Sequence, residues 1–459
     1  MARGKKTEKL LTPEEKLQQA MVPVSEQPYK VPQNWCWLYG WSFLKPMETK
    51  KPTGVFFRYI DIDSIDNKRQ IVYEPKLLET KKAPSRASRA LHVGDTVFSM
   101  VRPYLKNIAY IDDSLADSIA STGFYICSPQ KSVNPRFFYY LMISNYVVEG
   151  LNTYMKGDNS PSIRKNDLEQ FQYPIPPLLE QQRIVDRIES LFAKLDEAKE
   201  KAQAVVDGFE DRKAAILHKA FTGELTAGWK TTQSIELDTW RNVSWGDFIT
   251  NIEAGKNWNA LGKPPEKGEF GVVKVSAVTW GEFDELESKT CEIPSQWNEK
   301  VKIVEGDFLF SRANTLQLVG NCVIVKSVNR KLMLSDKILR FHFDESVIPE
   351  YVLYFTKTDI YRTQVENLAS GNQDGMRNIS QKNLRLIQFP IPIIDEQKKI
   401  VGLLKNIIGK EKQAKESAER VIDQIDIMKK SILARSFRGE LGTNDPSDES
   451  AEELLKKIL

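Results

Sequence analysis

Basic side chains concentrate in one short segment of the first half of the chain. Five cations fall within the fourteen residues from 76 to 89, which contain a single acid, Glu79. Pro84, Ser85 and Ser88 in the same segment are typical of an exposed loop, so we predict that its cations contact phosphates of a nucleic acid. A solvated basic loop without a ligand is the alternative. The cations are Lys76, Lys81, Lys82, Arg86 and Arg89.

Two similar motifs, Gly-Asp-Thr-Val-Phe-Ser at 94–99 and Gly-Asp-Phe-Leu-Phe-Ser at 306–311, predict matching strands in the two halves of the chain. Cationic, amide or aromatic side chains follow each motif. Arg and Asn suit bidentate hydrogen bonds to base edges in the major groove, although both are equally common in turns. We predict DNA contacts at Arg102, Tyr104, Lys106, Arg312 and Asn314.

A Gly-rich polar segment with one late arginine occurs at 156–164 and again at 371–379. A plain turn is one interpretation of these segments, and a loop that faces DNA is the other. On the second interpretation the contact residues are Lys156, Asn159, Arg164, Gln373 and Arg377.

Motifs for catalysis are weak. No glycine-lysine pair has the spacing of a phosphate-binding P-loop. The Asn-Pro-Arg-Phe run at 134–137 only half resembles the Asn-Pro-Pro-aromatic site of amino-methyltransferases, and a helix start is the favoured interpretation. Asp284, Glu287 and Lys289 fit a metal-dependent nuclease pattern, but such triplets arise by chance in a charged chain. We therefore predict neither a catalytic residue nor a metal ligand.

The composition is that of a globular protein with more than one domain. The chain has 459 residues, of which 41% are hydrophobic and 28% charged. No stretch approaches 18 consecutive apolar residues and the first 19 residues are charged rather than apolar, so we expect a cytoplasmic protein without a membrane span. Four cysteines lie far apart, which argues against a disulfide framework or zinc site and predicts buried packing.

The net charge of +3 is modest for a protein that binds nucleic acid, so its distribution is more informative. Residues 30–179 contain 19 Lys and Arg against 14 Asp and Glu, whereas residues 226–395 contain 20 against 22. Contacts with a nucleic acid must therefore come from local clusters, or be shared with a partner protein.

A long internal repeat organises these segments. Residues 163–225 reappear as residues 379–441 at a constant offset of 216, without an insertion or deletion. Each copy contains a Pro-Ile-Pro block, a Glu-Gln pair, a long helical pattern and Phe-x-Gly-Glu-Leu. One copy in each half of the chain predicts a molecule with two-fold pseudosymmetry, which suits a bipartite target.

The helical part of each copy has apolar residues at alternating steps of four and three, the pattern of a coiled coil. The predicted seam of the first helix is Ile184, Ile188, Leu191, Leu195, Ala198, Ala202, Val205, Phe209 and Ile216. The predicted seam of the second helix is Ile400, Leu404, Ile407, Ala414, Ala418, Val421, Ile425, Met428 and Ile432.

Connectivity favours antiparallel helices, because the second domain begins where the first helix ends and ends where the second helix begins. A symmetric register would place Ala198 opposite Ala418 and Ala202 opposite Ala414. Arg212 and Glu411, the polar seam residues, are expected to fix the register. Two further helices are predicted. One is a short helix that starts at a capping box at Thr12, and the other runs from 135 through 146.

With these features the chain resembles the specificity subunit, HsdS, of Type I restriction-modification systems. The resemblance rests on the repeated unit of domain, Pro-Ile-Pro block, Glu-Gln, long helix and Phe-x-Gly-Glu-Leu, on the Gly-Asp…Ser motifs, and on residues 11–17 and 32–37. It covers nearly the whole chain. It implies an α+β fold with two α/β target-recognition domains separated by two long antiparallel coiled-coil helices in a pseudo-two-fold repeat.

The expected segments follow from the repeat. They are an N-terminal arm (1–29), recognition domain 1 (30–179), helical spacer 1 (180–225), recognition domain 2 (226–395), helical spacer 2 (396–441) and a C-terminal tail (442–459).

The resemblance further implies a non-catalytic subunit whose two domains each read one half of a bipartite double-stranded DNA target. The coiled coil would set the spacer and dock two modification (methyltransferase) subunits, and restriction (translocase and nuclease) subunits would complete the complex. No cofactor is expected in this chain, since S-adenosylmethionine and ATP with Mg would lie on the partner subunits. A coiled-coil scaffold without sequence-specific DNA readout is the alternative.

Overall fold

The structure, a computed structural model, describes residues 12–236, 239–373 and 376–456. The first eleven residues of the arm and the last three of the tail lie outside this range, as does the side chain of Gln373. Two compact units are present. Unit 1 consists of Met1–Ala202 with Arg420–Leu459, and unit 2 is Gln203–Glu419.

The strands of unit 1 are short. They are β1 (Cys36–Tyr39), β2 (Phe56–Ile60), β3 (Ile65–Asp66), β4 (Ile71–Val72), β5 (Lys76–Glu79), β6 (Ala87–Ala90), β7 (Thr96–Ser99), β8 (Ile108–Tyr110), β9 (Ile119–Ser121), β10 (Phe124–Cys127) and β11 (Gln172–Ile175).

Unit 2 has a similar series of strands. They are β12 (Arg241–Ser244), β13 (Ile249–Ala254), β14 (Phe270–Val273), β15 (Ser288–Cys291), β16 (Phe308–Ser311), β17 (Ala313–Asn314), β18 (Cys322–Ile324), β19 (Lys331–Met333), β20 (Ile338–Phe343), β21 (Ser370–Gln373), β22 (Met376–Asn378) and β23 (Gln388–Ile391).

Helices separate and flank these strands. They are α1 (Pro13–Ala20), α2 (Pro135–Ile143), α3 (Asn145–Asn152), α4 (Lys165–Glu169), α5 (Leu178–Asp207), α6 (Phe209–Phe221), α7 (Ala227–Thr232), α8 (Trp245–Phe248), α9 (Pro349–Phe355), α10 (Asp359–Leu368), α11 (Gln381–Leu384), α12 (Ile394–Ser436) and α13 (Ala451–Lys456). The fold is therefore α+β, as predicted.

The sheets of unit 1 surround the strand that carries the first Gly-Asp motif. Strand β7 is central in the antiparallel sheet β10-β7-β8, and a second sheet has the order β5-β2-β9-β6. In unit 2 the matching strand β16 lies within the sheet β13-β20-β16-β18. All four residues of β7 and of β16 are buried, because each strand crosses the interior of its unit.

The core of each unit includes part of the long helices. In unit 1, Ile184 and Ile188 of α5 are fully buried in one cluster with the aromatic residues of α2 and with Leu433 of α12. In unit 2, Ile400 and Leu404 of α12 occupy the same place, in a cluster with Leu217 of α6. The sheets and short helices of each unit are thus packed against one end of both long helices.

The repeated Glu-Gln pair holds each domain to the start of its long helix. The Gln181 side chain donates from Nε2 to the Pro176 and Ser132 carbonyls at 2.9 and 3.1 Å, and its Oε1 accepts from the Asn134 backbone at 2.6 Å. Gln397 makes equivalent bonds in unit 2, to Pro392, Ser346 and Ile348. Because both glutamines are completely buried, these bonds replace hydration that the surrounding backbone has lost.

The two long helices run antiparallel within each unit, as predicted, but the symmetric register is wrong. In unit 1 the Lys199 ammonium lies 2.7 Å from Asp426, nine residues beyond position 417, which the symmetric register places opposite Lys199. Of the two predicted pairs, Ala198 with Ala418 and Ala202 with Ala414, one member of each is exposed, Ala198 and Ala414, and the other is buried. Asp196–Lys429 in unit 1 is displaced from the symmetric register by the same nine residues, and Arg212–Glu411 in unit 2 by seven, so the facing helices are shifted by about one heptad.

The seam residues differ in burial. Val421 and Met428, like Ala198 and Ala414, are exposed and do not form a covered seam. Half-buried positions are Leu191, Leu195, Val205, Ile216, Ile407 and Ile432. The positions that are buried are Ile184, Ile188, Ala202, Phe209, Ile400, Leu404, Ala418 and Ile425.

Two predicted helices are interrupted. The helix expected to run from 135 through 146 ends at Ile143, because Ser144 adopts an extended backbone and its side chain accepts from Val147 as the N-cap of α3. The first long helix is interrupted at Gly208, between α5 and α6.

The capping box predicted at the start of α1, between Thr12 and Glu15, is confirmed.

The arm and the tail pack together in unit 1. Leu17 and Ala20 of α1 share a buried cluster with Ala451 and Leu455 of α13. The Asn34 carbonyl accepts from the Ala451 backbone at 3.1 Å. The tail is therefore an integral part of unit 1.

None of the helices in the described part of the chain has the length and apolar composition that a membrane span requires.

Candidate nucleic-acid interface

The Gly-Asp motif forms the turn that starts the central strand of each unit. Gly94 and Gly306 have φ values of 90° and 91°, in the left-handed region that favours glycine. The Asp95 carboxylate accepts from the His92 backbone at 2.8 Å, and Asp307 accepts from Val304 at 2.9 Å. The motif is structural, because it fixes where β7 and β16 begin and hence where they deliver the residues that follow.

Strained backbone follows strand β7 in unit 1. Arg102 and Lys106 have φ values of 47° and 56° and flank a short 3-10 turn, Pro103–Leu105. Left-handed backbone is uncommon outside glycine, and such strain concentrates at functional sites. The turn leaves Arg102 exposed and the Tyr104 side chain 46% exposed. Two predicted contact residues are therefore presented to solvent by a constrained loop.

The Gly-rich segment of unit 1 packs directly against this turn. The Arg102 backbone N–H donates to the Pro161 carbonyl at 2.8 Å, and its guanidinium Nη2 donates to the Asn159 carbonyl at 3.0 Å. Val101 and Ser162 form an isolated antiparallel bridge. The structure thus brings together the predicted contacts Arg102, Tyr104, Lys156 and Asn159, although nearly sixty residues separate the two segments along the chain.

Unit 2 repeats the arrangement with different residues. Strand β17, which follows β16 directly, pairs antiparallel with β22, and Asn314 lies opposite Arg377. The Arg312 carbonyl accepts from the Ile379 backbone at 3.0 Å, and the Arg377 guanidinium donates to the Gly371 carbonyl at 2.6 Å. Arg312, Asn314 and Arg377 therefore lie in one small area of half-buried polar side chains.

The basic segment of unit 1, residues 76–89, borders the turn after β7 in the same unit. The Arg86 carbonyl accepts from the Thr122 backbone at 2.9 Å, and the neighbouring Gly123 carbonyl accepts from Met100 at 3.0 Å. Lys81, Lys82 and Arg86 are exposed, which suits contact with phosphates, whereas Arg89 is half-buried in β6. Backbone hydrogen bonds around one turn thus connect the basic segment to the residues after β7.

Some of the predicted DNA-contacting cations form hydrogen bonds or ion pairs within the chain. The Lys106 ammonium donates to Asn145 Oδ1 at 2.8 Å, and burial, reinforced by Lys430, lowers its pKa. Lys76 is paired with Asp61 at 2.6 Å, and this hydrogen bond raises its pKa. Lys82 pairs with Glu79 at 3.1 Å. Lys106 therefore supports the strained turn.

Arg164, another predicted contact, is exposed and is the N-cap of α4, at the end of the Gly-rich segment.

Sequence reasoning missed the hydrogen-bonding role of the repeated glutamate. In unit 1 the buried Glu180 accepts from the Trp35 indole and from Asn444 Nδ2, both at 2.8 Å. In unit 2 the buried Glu396 accepts from Thr226 at 2.6 Å and from the Trp240 indole at 3.1 Å, and it pairs with Lys230 at 3.1 Å. The repetition of Glu before Gln was the available signal. Its partners lie far along the chain and could not be identified.

All four cysteines are free and buried, as predicted. Among the residues that the structure describes, there is no group of three or more His, Cys, Asp or Glu side chains placed to hold a metal ion. The geometry of the candidate area, with cationic and amide groups on constrained loops, suits hydrogen bonding to phosphates and base edges.

Comparison with known proteins identifies the class. The family model described as the Type I restriction modification DNA specificity domain matches residues 52–206 and 238–420, one match in each half and together most of the chain. The chain therefore belongs to the Type I restriction-modification DNA specificity family.

Curated relatives are specificity subunits. The EcoKI specificity subunit of Escherichia coli strain K12 is 24% identical over 345 residues, which cover 72% of this chain and 73% of that protein. The StySPI specificity subunit of Salmonella potsdam is 22% identical over 345 residues, or 72% of each chain. The similarity extends over both halves of the molecule at low identity.

Solved structures have the same fold. The HsdS subunit from Thermoanaerobacter tengcongensis has a TM-score of 0.65 and 25% identity, covering 91% of this chain and all of that one. A chain from a study of complex assembly and conformational transition of the type I R-M system has a TM-score of 0.69 and 25% identity, covering 90% of this chain and all of that one.

Proposed function

We propose that this chain is the sequence-reading subunit of a Type I restriction-modification complex, and that each recognition domain reads one half of a bipartite DNA target. The observation that carries the proposal is the repeated packing of a Gly-rich segment against the residues after the Gly-Asp strand. The framework is shared, but the side chains on it differ, with Arg102 and Tyr104 in unit 1 and Arg312 and Asn314 in unit 2. Two different sets of contacts on one framework suit two different half-sites.

Phosphate contacts would position each domain on the duplex. The exposed Lys81 and Arg86 beside the reading segment of unit 1 supply such contacts. Since unit 2 lacks an excess of cations, its half-site would depend more on base contacts, or on partner subunits that enclose the DNA.

The coiled coil would set the spacer between the half-sites and dock two modification subunits, with restriction subunits completing the complex. Ile427 and Met428 on α12 are exposed apolar residues that a docked subunit would cover. The chain itself would be non-catalytic. S-adenosylmethionine for methylation of adenine, and ATP with Mg for translocation, would be bound by the partners.

A methylome of the host, with the gene deleted and then restored, tests the proposal. We expect restoration to bring back one bipartite adenine-methylation motif. Replacing Arg102 by Ala should relax one half of this motif, and replacing Asn314 by Ala should relax the other. Lys398, an exposed residue on α12, provides the matched control variant. If deletion removes no bipartite motif, the proposal is wrong.

Salt dependence separates a DNA reader from a coiled-coil scaffold. The affinity of the complex with its modification subunits for duplex DNA should fall linearly in log salt, with a slope set by the number of phosphate contacts. A complex that assembles but does not bind DNA at low salt would favour the scaffold. Methyl transfer or cleavage by the purified chain alone would show that it is an enzyme.

A further inference from the structure

Trp280 of unit 2 is a large aromatic side chain held out into solvent on a rigid support. Its side chain is 77% exposed, whereas the three residues before it, Ala277, Val278 and Thr279, are 0%, 0% and 6% exposed. Gly281 follows with a φ of 90° and reverses the chain. Trp is highly buried on average and is enriched at interfaces, because its ring supplies a large apolar contact area together with one N–H donor.

The support of Trp280 is bonded to the reading segment of unit 2. The Thr279 carbonyl accepts from Asn321 Nδ2 at 2.9 Å, and the Thr279 hydroxyl lies 3.4 Å from Asn314 Nδ2. Asn314 in turn lies opposite Arg377 in the β17–β22 pair. Trp280 is therefore one residue from a side chain that touches the predicted base contact Asn314.

Unit 1 also places an exposed aromatic side chain at its reading segment, but from a different part of the sequence. Tyr104, 46% exposed, follows Arg102 by two residues in the strained turn after β7. In unit 2 the residues after β16 contain no aromatic side chain before Val319, and the aromatic group comes instead from the turn at 279–281. Both units thus combine an aromatic ring with a cation or amide, but the ring comes from a different part of the sequence in each.

We propose that Trp280 contacts the DNA bases of the second half-site and contributes to its specificity. This inference depends on the proposed function of unit 2 as a reader. An indole ring can press against a thymine methyl group or a base step, while its N–H donates to an acceptor on the duplex. DNA is favoured over a protein partner because the neighbouring Asn314 and Arg377 have the groups that bind base edges and phosphates. The acid beside Trp280, Glu282, is paired with Lys326 at 2.9 Å.

The test measures DNA affinity of the complex with modification subunits, after the methylome has defined the motif. Three duplexes are compared, one with both half-sites, one with the first half-site scrambled and one with the second scrambled. Trp280→Ala should weaken binding of the intact duplex by about 5- to 100-fold, the range that aromatic contacts with bases contribute. A similar loss is expected when only the first half-site is scrambled, and none when the second is scrambled.

Two further variants sharpen the result. Leu286→Ala removes another exposed apolar side chain of unit 2, 54% exposed, and should leave affinity unchanged. Trp280→Phe keeps an aromatic ring and should retain part of the affinity. Since Trp280 is exposed, Trp280→Ala should not lower the Tm, which excludes unfolding as the cause.

Several results would overturn the inference. Unchanged affinity would show that Trp280 does not touch the DNA, and an equal loss on all three duplexes would make it a backbone contact without specificity. Weaker assembly with modification subunits, at unchanged DNA affinity of the assembled complex, would make it a protein contact. A wild-type complex that does not distinguish intact from scrambled duplexes would instead overturn the proposed function, and this inference with it.

Discussion

Arg212 and Glu411 form an ion pair between the two long helices within unit 2. Arg212 Nε lies 2.7 Å from the Glu411 carboxylate. The guanidinium also donates from Nη2 to the Val205 carbonyl at 2.8 Å, at the place where α5 ends and α6 begins. One side chain thus bonds the facing helix and satisfies a carbonyl at the helix interruption.

Gly208 and Arg212 are coupled, and a pair of substitutions can measure this coupling. A Cβ at position 208 would lie 2.5 Å from Arg212 Nη1, so Gly208→Ala should displace the guanidinium. Gly208 is the N-cap of α6, a position where Ala is less favourable than Gly. We therefore expect Gly208→Ala to destabilise the wild type, where it also displaces the guanidinium, more than it destabilises an Arg212→Ala variant. The difference should be about 0.5–1 kcal/mol, the usual contribution of a partly exposed ion pair.

Thermal unfolding of the wild type, Gly208→Ala, Arg212→Ala and the double variant measures this coupling. Gly409→Ala is a matched control, because Gly409 is in a helix and nothing within 4 Å would meet its Cβ. Equal effects of Gly208→Ala in both backgrounds would show that the two residues are independent.

Local patterns in the sequence predicted much of the fold. The capping box at Thr12 and the strands at 96–99 and 308–311 depend on neighbouring residues, and the structure confirms them. The repeat predicted that both halves use one framework, and the equivalent bonds of Gln181 and Gln397 are the physical reason.

The remaining features depend on distant contacts. The register of the long helices brings together residues far apart in the sequence, such as Lys199 and Asp426, and heptad spacing alone could not select it. In the candidate interface, the bridge between Val101 and Ser162 joins segments that sequence analysis treated as separate. Trp280 was missed because exposure of a tryptophan cannot be inferred from its neighbours in sequence.

The two repeated glutamates should differ in their contribution to stability. Glu396 is fully buried against the Lys230 ammonium, and removal of one partner from a buried ion pair costs about 3–5 kcal/mol. Glu180 accepts from neutral donors, the Trp35 indole and Asn444, for which a loss of about 1–2 kcal/mol is expected. Glu396→Gln should therefore lower the Tm more than Glu180→Gln. Glu416→Gln, on an exposed part of α12, should have no effect, and equal shifts for the two glutamates would contradict the argument.

The cysteines should be inert in the folded protein. Burial raises the pKa of the Cys36 and Cys322 thiols to about 12, so at pH 8 only about one part in 10⁴ of each is thiolate. We expect no thiol to react with a disulfide reagent under native conditions and all four to react in denaturant. Rapid native labelling of one thiol would contradict this.

The same pKa shifts make stability fall at high pH. Unfolded cysteines ionise near pH 8.5, whereas the folded thiols stay protonated up to about pH 12. Their contribution to the free energy of unfolding is therefore complete below about pH 8.5 and is lost as the pH rises from there towards 12. A Cys322→Ala variant should show a smaller decline in Tm over this range than the wild type.

Reversing the charge of Arg86 should weaken DNA binding through the first half-site. Arg86→Glu in an exposed loop leaves the fold intact, whereas Arg89 in β6 is half-buried, so its charge reversal tests folding as well as binding. We expect the slope of log affinity against log salt to fall by about 1 if one phosphate contact is lost. Equal loss on non-cognate DNA would identify a phosphate contact rather than a base contact. Lys398→Glu is the control for a change of net charge, and no effect of Arg86→Glu at low salt would exclude Arg86 from the interface.

Insertion of one heptad into both long helices tests whether the coiled coil sets the spacer. The insertions are placed after Ala202 and after Glu419, where units 1 and 2 meet along the chain. Each adds about 10 Å of helix, equivalent to about three base pairs. The paired insertion leaves the ion pairs of both units in register, since Asp196–Lys429 lies within unit 1 and Arg212–Glu411 within unit 2.

An insertion in one helix alone cannot satisfy both of these ion pairs and should lower the Tm. With both insertions, we expect methylome sequencing to show the same two half-sites with a spacer longer by about three base pairs, or loss of methylation if the second domain cannot rotate to follow the DNA. Changed bases within either half-site would contradict the spacer model, because the reading segments after β7 and β16 are untouched. An unchanged spacer with full methylation would show that the distance is set by the partner subunits rather than by these helices.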